Sequence, residues 1–577
     1  MGNPFLNADM RNINKNFRCA VLCRGFCIGL CLSLLFQFAC KKGGSPAPPA
    51  SPPASFSLNT FTVNGTSSGF TYYNVNLAPV LRFSFSAPVN HSSATSTFSF
   101  RDGSGSAVPF TPSFANNDST VIIQPSAVLK GITQYTVAVT TALQSSGGGT
   151  LQSAASINLI TSIDSTDKFP RISDSALLTL VEQQTFKYFW DFGHPVSGLA
   201  RERTTSGDVV TTGGSGFGIM AMLVGIQRNF ISRADGLTRI DKIVSFLTNS
   251  AQRYHGVFPH WINGSTGATV PFSTEDDGGD LVETSYMMQG LLTARQYFNS
   301  TTDTAEENLR TNINALWNGV DWTWYRQGGQ NTLFWHWSPD YAWSTNQQVN
   351  GWDEALITYV LAASSTADTI PKIVYDNGWA LNGAMRNGKA FYGIQLPLGP
   401  DEGGPLFFAH YSFLGINPNG LSDAYANYWT QDTAHANINY LYCVSNPGKY
   451  NGYSNLCWGL TASDEENGYS AHSPTNDDGV VSPTAAISSL PYTPVQSLNA
   501  LRFFYYTLGD KLWGQYGFID AFNLTNIWFD TDFLAIDQGP QIVMIENYRS
   551  GLLWDLFMSC PEIQAGMKKL GFQSPNL

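Results

Sequence analysis

The chain has 577 residues, too many for one average domain, so two or more units or one large enzyme core are expected. Charged residues make up 13% of it, about half the usual share, aromatic residues also make up 13%, and the net charge is -12. The body of the chain has no cluster of Lys and Arg, which argues against nucleic acid and polyanionic substrates, and 43% apolar residues exclude a disordered chain.

The first forty residues predict an export signal with a lipid anchor. Positively charged residues precede an apolar run from Phe26 to Phe38, which is too short for a membrane-spanning helix. Ala39-Cys40 resembles a bacterial lipoprotein cleavage site with Cys40 as the acylated residue, and ordinary signal-peptidase cleavage nearby is the alternative. We expect residues 1–40 to be this signal. The mature protein is then periplasmic or anchored in the outer membrane of a Gram-negative bacterium, and it meets the membrane only through its lipid.

Four cysteines would remain after export, Cys40, Cys443, Cys457 and Cys560, and their spacing matches no metal site. An oxidising compartment would allow a disulfide between Cys443 and Cys457, which flank a Gly/Asn/Tyr-rich segment that would form the closed loop. Cys560 lies in an apolar, helix-like segment, so we expect it to be a buried free thiol.

Residues 41–55 form a Pro/Ser/Gly-rich linker that is too poor in apolar side chains to pack. Residues 56–163 are rich in Ser, Thr, Val and Phe and contain no Trp. Apolar and polar side chains alternate in segments such as 81–86 and 135–139, which predicts short strands and, over about 100 residues, an all-β sandwich. The segment Ser86-Ala87-Pro88-Val89 resembles a motif of bacterial Ig-like modules. Such modules are usually spacers, and carbohydrate binding is the alternative role.

Helical periodicity takes over in residues 164–577, which hold all fifteen Trp of the chain. Ser232 is a cap-like start, and apolar residues follow it at i, i+3, i+4 and i+7, from Ile240 to Leu247. Similar helices are predicted over 305–320, 355–363 and 494–508. About a dozen such segments fit helical hairpins closed into an (α/α)6 toroid, with the loops lining a cleft on one face. The same count is compatible with an α-solenoid.

The richest acidic stretch, 273–284, contains Asp276, Asp280 and Glu283. A helix that begins near Asp280 would place Asp280 and Glu283 on one face with their Cβ atoms about 5–6 Å apart. Their repulsion would raise the pKa of one carboxyl, as a general acid requires. The alternative is that Asp280 caps the helix, with Glu283 as its reciprocal partner, while the other carboxylates face solvent.

Other carboxylates stand in aromatic and uncharged surroundings, which suit sugars because C–H faces stack on rings. They are Glu354, Glu402, the group from Asp464 to Glu466, and Asp537. For each one taken alone, a helix cap or a structural ion pair is the commoner explanation. The histidines show no metal-ligand spacing, and no nucleophile elbow or phosphate-binding loop is present, so neither a metal nor a cofactor is expected.

Several segments in order resemble the glycoamylase-like domain family over residues 170–577. They are Gly198-Leu199-Ala200-Arg201-Glu202-Arg203, Thr211 to Gly218, His260-Trp261-Ile262-Asn263-Gly264, Asp276 to Glu283, Gly403 to Phe407, Gly459 to Ser463, and Asp537-Gln538-Gly539-Pro540. The characterised branch of this family is glycoside hydrolase family 144, the bacterial endo-β-1,2-glucanases. The resemblance implies an (α/α)6 toroid, export, and hydrolysis of the neutral polymer β-1,2-glucan to sophoro-oligosaccharides with inversion. We expect a monomer.

The resemblance also implies roles for particular residues. The essential acids of the family match Asp276, Asp280 and Glu283, with Glu354 and Asp537 as further candidates. Candidates for substrate binding are Arg201, Glu202, Arg203, His260, Glu402 and His410, with Trp261 and Trp335 as stacking platforms. As a hypothesis, Glu283 or Asp280 protonates the leaving oxygen, and Glu354 or Asp537 activates water.

Inversion requires functional carboxyls about 6.5–9.5 Å apart, so Asp280 and Glu283 are too close to be the acid and base themselves. Two other functions stay open at this point. One is a glucoamylase-like exo-hydrolase acting on another glucan, and the other is a non-catalytic, surface glycan-binding lipoprotein. A polysaccharide lyase would need basic subsites for uronates, and the acidic body of the chain argues against it.

Overall fold

The computed structural model describes residues 53–577, which form two compact units, one ending at Ser165 and the other running from Thr166 to Leu577. The predicted signal, Cys40 and residues 41–52 of the predicted linker lie outside the described residues. Within residues 53–577, no helix combines the length and the apolar character needed to cross a bilayer.

The first unit contains two four-stranded sheets around one apolar core. Its strands are β1 (Leu58–Val63), β2 (Thr71–Val75), β3 (Leu81–Phe85), β4 (Phe98–Asp102), β5 (Ser113–Ala115), β6 (Thr120–Ile123), β7 (Gln134–Val139) and β8 (Ala155–Thr161), and a short helix α1 (His91–Thr97) precedes β4. The strand orders are β1-β3-β6-β5 and β2-β8-β7-β4. Leu81, Phe83 and Phe85 are buried while Arg82 is exposed, which is the predicted alternation, and the predicted β-sandwich is confirmed.

The second unit is built mainly from helices. They are α2 (Asp174–Trp190), α3 (Thr212–Gln227), α4 (Arg233–Asn249), α5 (Leu281–Tyr297), α6 (Thr304–Asn318), α7 (Leu356–Ser364), α8 (Lys372–Val374), α9 (Tyr428–Ser445), α10 (Pro483–Ser488), α11 (Pro494–Arg502), α12 (Gly509–Leu512), α13 (Ala535–Ser550), α14 (Leu552–Met558) and α15 (Pro561–Leu570). The predicted helices correspond to α4, α5, α6, α7 and α11. Ser232 caps α4 by accepting the N–H of Asp235 at 3.1 Å.

Two details differ from the sequence prediction. The helix predicted over 494–508 is α-helical only to Arg502, and residues 503–507 form a π-helical turn. The unit is also not purely helical, because loop segments pair into short strands. These are β9 (Val209–Thr211), β10 (Trp261–Asn263), β11 (Thr269–Val270), β12 (Gly279–Asp280), β13 (Leu333–Phe334), β14 (His336–Trp337), β15 (Gln348–Val349), β16 (Ala390–Phe391), β17 (Ile394–Gln395), β18 (Ala462–Glu465), β19 (Gly468–Ala471), β20 (Trp513–Gly514), β21 (Gly517–Phe518), β22 (Phe522–Asn523) and β23 (Trp528–Phe529).

Helices α13, α3, α5 and α7 pack against one another in that order and form the buried interior of this unit. Their residues are almost all buried, so their sequences are apolar or small on every side rather than on one stripe. Gly216 and Gly290 let α3 and α5 approach closely, because a Cβ on either would lie 2.2 Å from a carbonyl oxygen of the other helix. The polar residues described below lie at the N-terminal ends of these helices.

The predicted disulfide between Cys443 and Cys457 is wrong, since both residues are free, buried thiols. Burial raises the pKa of both thiols well above the usual value and keeps them protonated. Cys560 is a buried free thiol, as predicted, and burial raises its pKa to about 12.

Candidate active site

Asp280 is the N-cap of helix α5. Its Oδ1 accepts the N–H groups of Val282 at 3.0 Å and Glu283 at 2.9 Å. Its Oδ2 lies 2.9 Å from Nδ1 of His260 and 3.4 Å from Nε2 of His336. The capping alternative is therefore correct for Asp280, and the same carboxylate is also part of a charged cluster. The expected reciprocal contact from Glu283 is not made, because that side chain turns to helix α3.

His336 links Asp280 to Asp276. The antiparallel pairing of β12 with β14 sets His336 opposite Asp280, and Nε2 of His336 also lies 3.1 Å from Oδ2 of Asp276. Asp276 is buried, and its Oδ1 has no hydrogen-bond partner among the described residues. Two histidines and two carboxylates thus form one compact network beside the start of α5.

The contacts in this network favour protonated histidines and an ionised Asp280. Burial lowers the pKa of the two histidines, but the surrounding carboxylates outweigh it and raise the pKa of His260 to about 9 and of His336 to about 10. Burial raises the pKa of Asp280, but hydrogen bonds from the two histidines outweigh it and hold the pKa well below the usual value. At neutral pH Asp280 is ionised, so it cannot be the general acid.

Glu283 reaches the first turn of α3, where its Oε2 accepts the N–H of Gly213 at 2.7 Å. A Cβ on residue 213 would lie 2.6 Å from that oxygen, so this approach requires glycine. Burial and the charge of Asp280 raise the pKa of Glu283, while His260 and the Gly213 hydrogen bond act in the opposite direction.

Glu354 lies at the start of α7 and is a partly exposed residue. Burial, followed by the charges of Asp353 and Glu283, raises the pKa of Glu354 well above its usual value. Its backbone carbonyl accepts hydrogen bonds from the hydroxyls of Tyr286 and Ser412, which fix the position of the loop. A raised pKa favours the protonated form of this carboxyl, which is the form that a general acid needs.

Asp537 lies in the first turn of α13 and is 4% exposed. Burial raises its pKa to about 7, and its Oδ2 has no hydrogen-bond partner within residues 53–577. Its buried neighbour Asp520 accepts the backbone N–H of Asp464 at 2.8 Å. Both oxygens of Asp464 in turn bind Nη1 of Arg203, at 2.9 and 2.7 Å, and Nε of Arg203 binds Glu202 at 2.9 Å.

Tyr411 shows that these groups belong to one site. Its phenol is buried, and after burial the charges of Asp537, Glu354 and Glu283 all raise its pKa. Carboxylates from three helix N-termini therefore act electrostatically on one hydroxyl. The structure thus brings together the five predicted acids and three of the predicted binding residues, Glu202, Arg203 and His260.

The other predicted binding residues have different surroundings. Trp261 and Trp335 are partly exposed beside the network, and Trp261 packs on His260 and Phe272 with ring centroids 5.7 and 4.9 Å apart. Arg201 instead lies over the ring of Phe192, with its guanidinium carbon 4.8 Å from the centroid.

Glu402 accepts a hydrogen bond from the hydroxyl of Tyr392 at 3.1 Å. None of the contacts described for it involves the acidic network. His410 is 2% exposed, with Nε2 3.0 Å from Oγ of Ser489, and burial lowers its pKa to about 3. None of the contacts described for it involves the acidic network, and its role in substrate binding stays a prediction.

Three residues of the site, His336, Asp520 and Tyr411, were not predicted from the sequence. His336 was visible only as part of a Trp-rich run, Asp520 as a lone carboxylate among apolar residues, and Tyr411 as one of 25 tyrosines. One signal could have identified Asp520, because it is the only acidic residue within the apolar segment Gly517-Phe518-Ile519-Asp520-Ala521-Phe522. Burying a carboxylate there costs free energy, which points to a functional role.

The sequence shows no metal-ligand spacing, but the fold brings possible metal ligands together. Within residues 53–577, three groups could hold a metal ion by the proximity of their donor atoms: His260 with Asp276 and Asp280, Glu465 with His472 and Asp478, and Asp464 with Asp520 and Asp530. The first and third belong to the site described above, and the second lies outside it.

Comparison with known proteins adds two family matches. Residues 346–561 match the family described as "Putative glucoamylase", and residues 59–161 match the bacterial Ig-like domain family.

Three relatives are similar over most of the helical unit or beyond. An exo beta-1,2-glucooligosaccharide sophorohydrolase (non-reducing end) from Parabacteroides distasonis is 47% identical over 421 residues, which are 69% of this chain and 58% of the relative. The structure of an endo-beta-1,2-glucanase from Chitinophaga pinensis, with sophorotriose and glucose, is 52% identical and covers 70% of this chain and 100% of its own, with a TM-score of 0.69. A beta-1,2-glucanase structure from Parabacteroides distasonis is 37% identical and covers 91% of this chain and 74% of its own, with a TM-score of 0.68.

Proposed function

This chain belongs to the glycoamylase-like family of its β-1,2-glucanase relatives, and we propose that it is a glycoside hydrolase that cleaves β-1,2-glucan to sophoro-oligosaccharides with inversion. The names of the relatives and their identity of up to 52% support the substrate. The observation that carries the proposal is the group of carboxylates that act on Tyr411, since burial raises the pKa of Glu354 well above its usual value and that of Asp537 to about 7.

Glu354 is the proposed general acid. Burial raises its pKa well above the usual value and so favours the protonated carboxyl, and the residue is partly exposed. The proton passes to the glycosidic oxygen as the bond from that oxygen to the anomeric carbon breaks. The sequence suggested Glu283 and Asp280 as candidates for the acid. We propose that they position neighbouring groups instead, because Asp280 is ionised and Glu283 accepts the N–H of Gly213.

Asp537 is the proposed general base. Its free Oδ2 can accept a proton from a water molecule, whose oxygen then attacks the anomeric carbon from the face opposite the leaving oxygen. After one turnover Glu354 has lost a proton and Asp537 has gained one, and exchange with solvent restores both. Attack on the opposite face converts a β-glycosidic bond into an α-configured reducing end.

Arg203 and Glu202 are proposed to bind glucose hydroxyls beside Asp537, and Trp261 and Trp335 to stack on sugar rings next to Asp280. The order in which α13, α3, α5 and α7 pack supports an (α/α)6 toroid whose helix N-termini surround the cleft. The helical hairpins of such a toroid place the loops that carry these residues on one face.

A digest of linear β-1,2-glucan, laminarin and starch with the purified protein tests this function. We expect reducing sugar only from β-1,2-glucan, and proton NMR of the first products should show the α-anomer. Release of sugar from starch alone would favour a glucoamylase-like enzyme on another glucan. Binding of β-1,2-glucan without release would favour the glycan-binding lipoprotein. Comparing the loss of viscosity with the release of sophorose distinguishes endo from exo attack. Endo attack lowers the viscosity before much sophorose is released, and exo attack releases sophorose first.

We also propose that the protein is exported and lipid-anchored through Cys40, on the basis of its N-terminal sequence alone. Metabolic labelling with a fatty acid should mark the wild-type protein and not a Cys40→Ser variant. Labelling of both variants, or of neither, would contradict the anchor without bearing on the hydrolase.

A further inference from the structure

Three ligand-type side chains converge on the hairpin formed by β18 and β19, outside the catalytic carboxylates. Glu465 ends β18, His472 directly follows β19, and Asp478 lies in the next loop. Each offers a donor atom, and the three atoms lie within 4.8 Å of one another. That separation is what a single ion at usual ligand distances of about 2.0–2.3 Å would span.

The contacts described for this group bring two carboxyl groups together beside one histidine. Nδ1 of His472 lies 3.2 Å from Oδ1 of Asp478, whose carboxyl also contacts that of Glu465. Two carboxyl groups in direct contact need a shared proton or a cation between them. The groups that most affect Glu465 are Asp478, His472 and Glu466, and none of them is a lysine or arginine.

His472 gives a second, separate indication of a ligand. Its side chain is 2% exposed, and Nε2 is buried with no hydrogen-bond partner among the described residues. Nδ1 faces the Asp478 carboxylate, and within residues 53–577 no backbone group is bonded to either ring nitrogen, so the ring can present a lone pair to an ion. A buried polar atom without a partner is costly unless something absent from the protein chain satisfies it.

We propose that Glu465, His472 and Asp478 bind a divalent transition-metal ion of the zinc class. One imidazole with two carboxylates suits Zn²⁺, whereas Ca²⁺ and Mg²⁺ prefer all-oxygen ligand sets. The side chain of Asp478 is 51% exposed, which leaves room for water to complete the coordination.

The role that follows is to brace the hairpin. Strand β18 also carries Asp464, which binds Arg203 in the candidate active site. An ion on Glu465, His472 and Asp478 would tie the end of β18 to the segment after β19, and so would fix Asp464 indirectly. It would not touch substrate, and the inference does not depend on the proposed hydrolysis.

The test uses the full chain, stripped with EDTA, dialysed against equimolar ZnCl2, and then against metal-free buffer. We expect about one zinc per chain by mass spectrometry and a thermal midpoint a few degrees higher than that of the stripped protein. Glu465→Gln, His472→Asn and Asp478→Asn should each lose both effects. Asp478 is the most exposed of the three, so Asp478→Asn is the variant whose folding is least at risk. Glu466→Gln, an exposed neighbour in the hairpin turn, is the matched control and should keep both effects.

Three results would overturn the proposal. The first is an absence of retained zinc together with an unchanged midpoint in the wild-type chain. The second is zinc retained equally by Asp478→Asn and His472→Asn, which would place the ion at another group. The third is stabilisation by CaCl2 and not by ZnCl2.

Discussion

Nδ1 of His260 lies 2.9 Å from Oδ2 of Asp280, while the other oxygen of Asp280 caps helix α5. The carboxylate of Asp280 therefore both caps a helix and binds an imidazole. Because the imidazole stabilises its negative charge, Asp280 is fixed as an anion, and the protonated role falls to a carboxyl that has no such partner. This division of roles leads to the first predictions.

Replacing Glu354 with Gln should lower kcat on β-1,2-glucan by about 10²–10⁴-fold, because the amide cannot donate the proton that the leaving oxygen needs. The thermal midpoint should change little, since the protonated carboxyl and the amide are both uncharged and of similar size. Steady-state kinetics and circular dichroism measure both. Glu307→Gln, an exposed position on α6, is the control. Near wild-type kcat in Glu354→Gln would rule out Glu354 as the acid.

The pH profile of kcat/KM should have its acidic limb near pH 7. Asp537 must be ionised to accept a proton, and burial raises its pKa to about 7, so activity should fall as pH drops below that value. Burial also raises the pKa of Glu354, so loss of its proton should set the basic limb of the profile. A limb near pH 4, as for an ordinary aspartate, would contradict the assignment, and Asp537→Asn should be inactive across the range.

Much of this architecture could be predicted from sequence because local patterns determine it. Alternation in 81–86 produced a strand, and the apolar spacing after Ser232 produced α4 with its cap. The site was predictable where its residues are close in sequence, as in the stretch from Asp276 to Glu283. His336 and Asp520 reach the same site through pairing and packing of distant segments, and one sequence carries no record of such contacts.

The errors have physical causes as well. Cys443 and Cys457 flank a loop of suitable composition, but both are free thiols, and composition does not fix the distance and orientation that a disulfide requires. Predicting Asp280 as either a cap or a charged-site residue assumed that these roles exclude each other, whereas its two oxygens serve one role each.

The network at α5 should make stability depend on pH. The folded-state pKa values of His260 and His336, about 9 and about 10, lie above the ordinary 6.5, so their stabilising contribution is complete below about pH 6.5 and is lost as pH rises through 9 to 10. The pKa of Asp280 is depressed, so its contribution is present above about pH 4 and is lost at lower pH. Urea unfolding should show a decrease in the free energy of unfolding on both sides of this window.

His336→Gln should be less stable than wild type at pH 6 and should lose less stability between pH 7 and 10. His91→Gln, which changes an exposed histidine of the first unit, is the control and should follow the wild-type curve. Parallel curves for His336→Gln and wild type would show that the imidazole does not stabilise the network.

The buried cysteines should resist alkylation. Iodoacetamide at pH 8 should leave Cys443, Cys457 and Cys560 unmodified in the native protein, because only the thiolate reacts and burial keeps all three protonated. All three should react in 6 M guanidinium without added reductant. Peptide mass mapping measures the modification of each cysteine separately. If Cys443 and Cys457 react in guanidinium only after a reductant is added, the two residues form a disulfide after all.

Gly213→Ala should impair catalysis through Glu283. The added Cβ would lie 2.6 Å from Oε2 of Glu283 and 2.8 Å from the ring of Tyr286, so the carboxylate must move away from the N–H of residue 213. In a helix Ala is intrinsically favoured over Gly by about 1 kcal/mol, so a lower thermal midpoint would itself reveal the clash. A displacement of about 1 Å in a catalytic cluster can lower kcat by about 100-fold, and we expect a loss of that order. Gly103→Ala, where a Cβ meets nothing closer than 3.6 Å, is the control. Wild-type kcat in Gly213→Ala would show that the position of Glu283 does not govern the reaction.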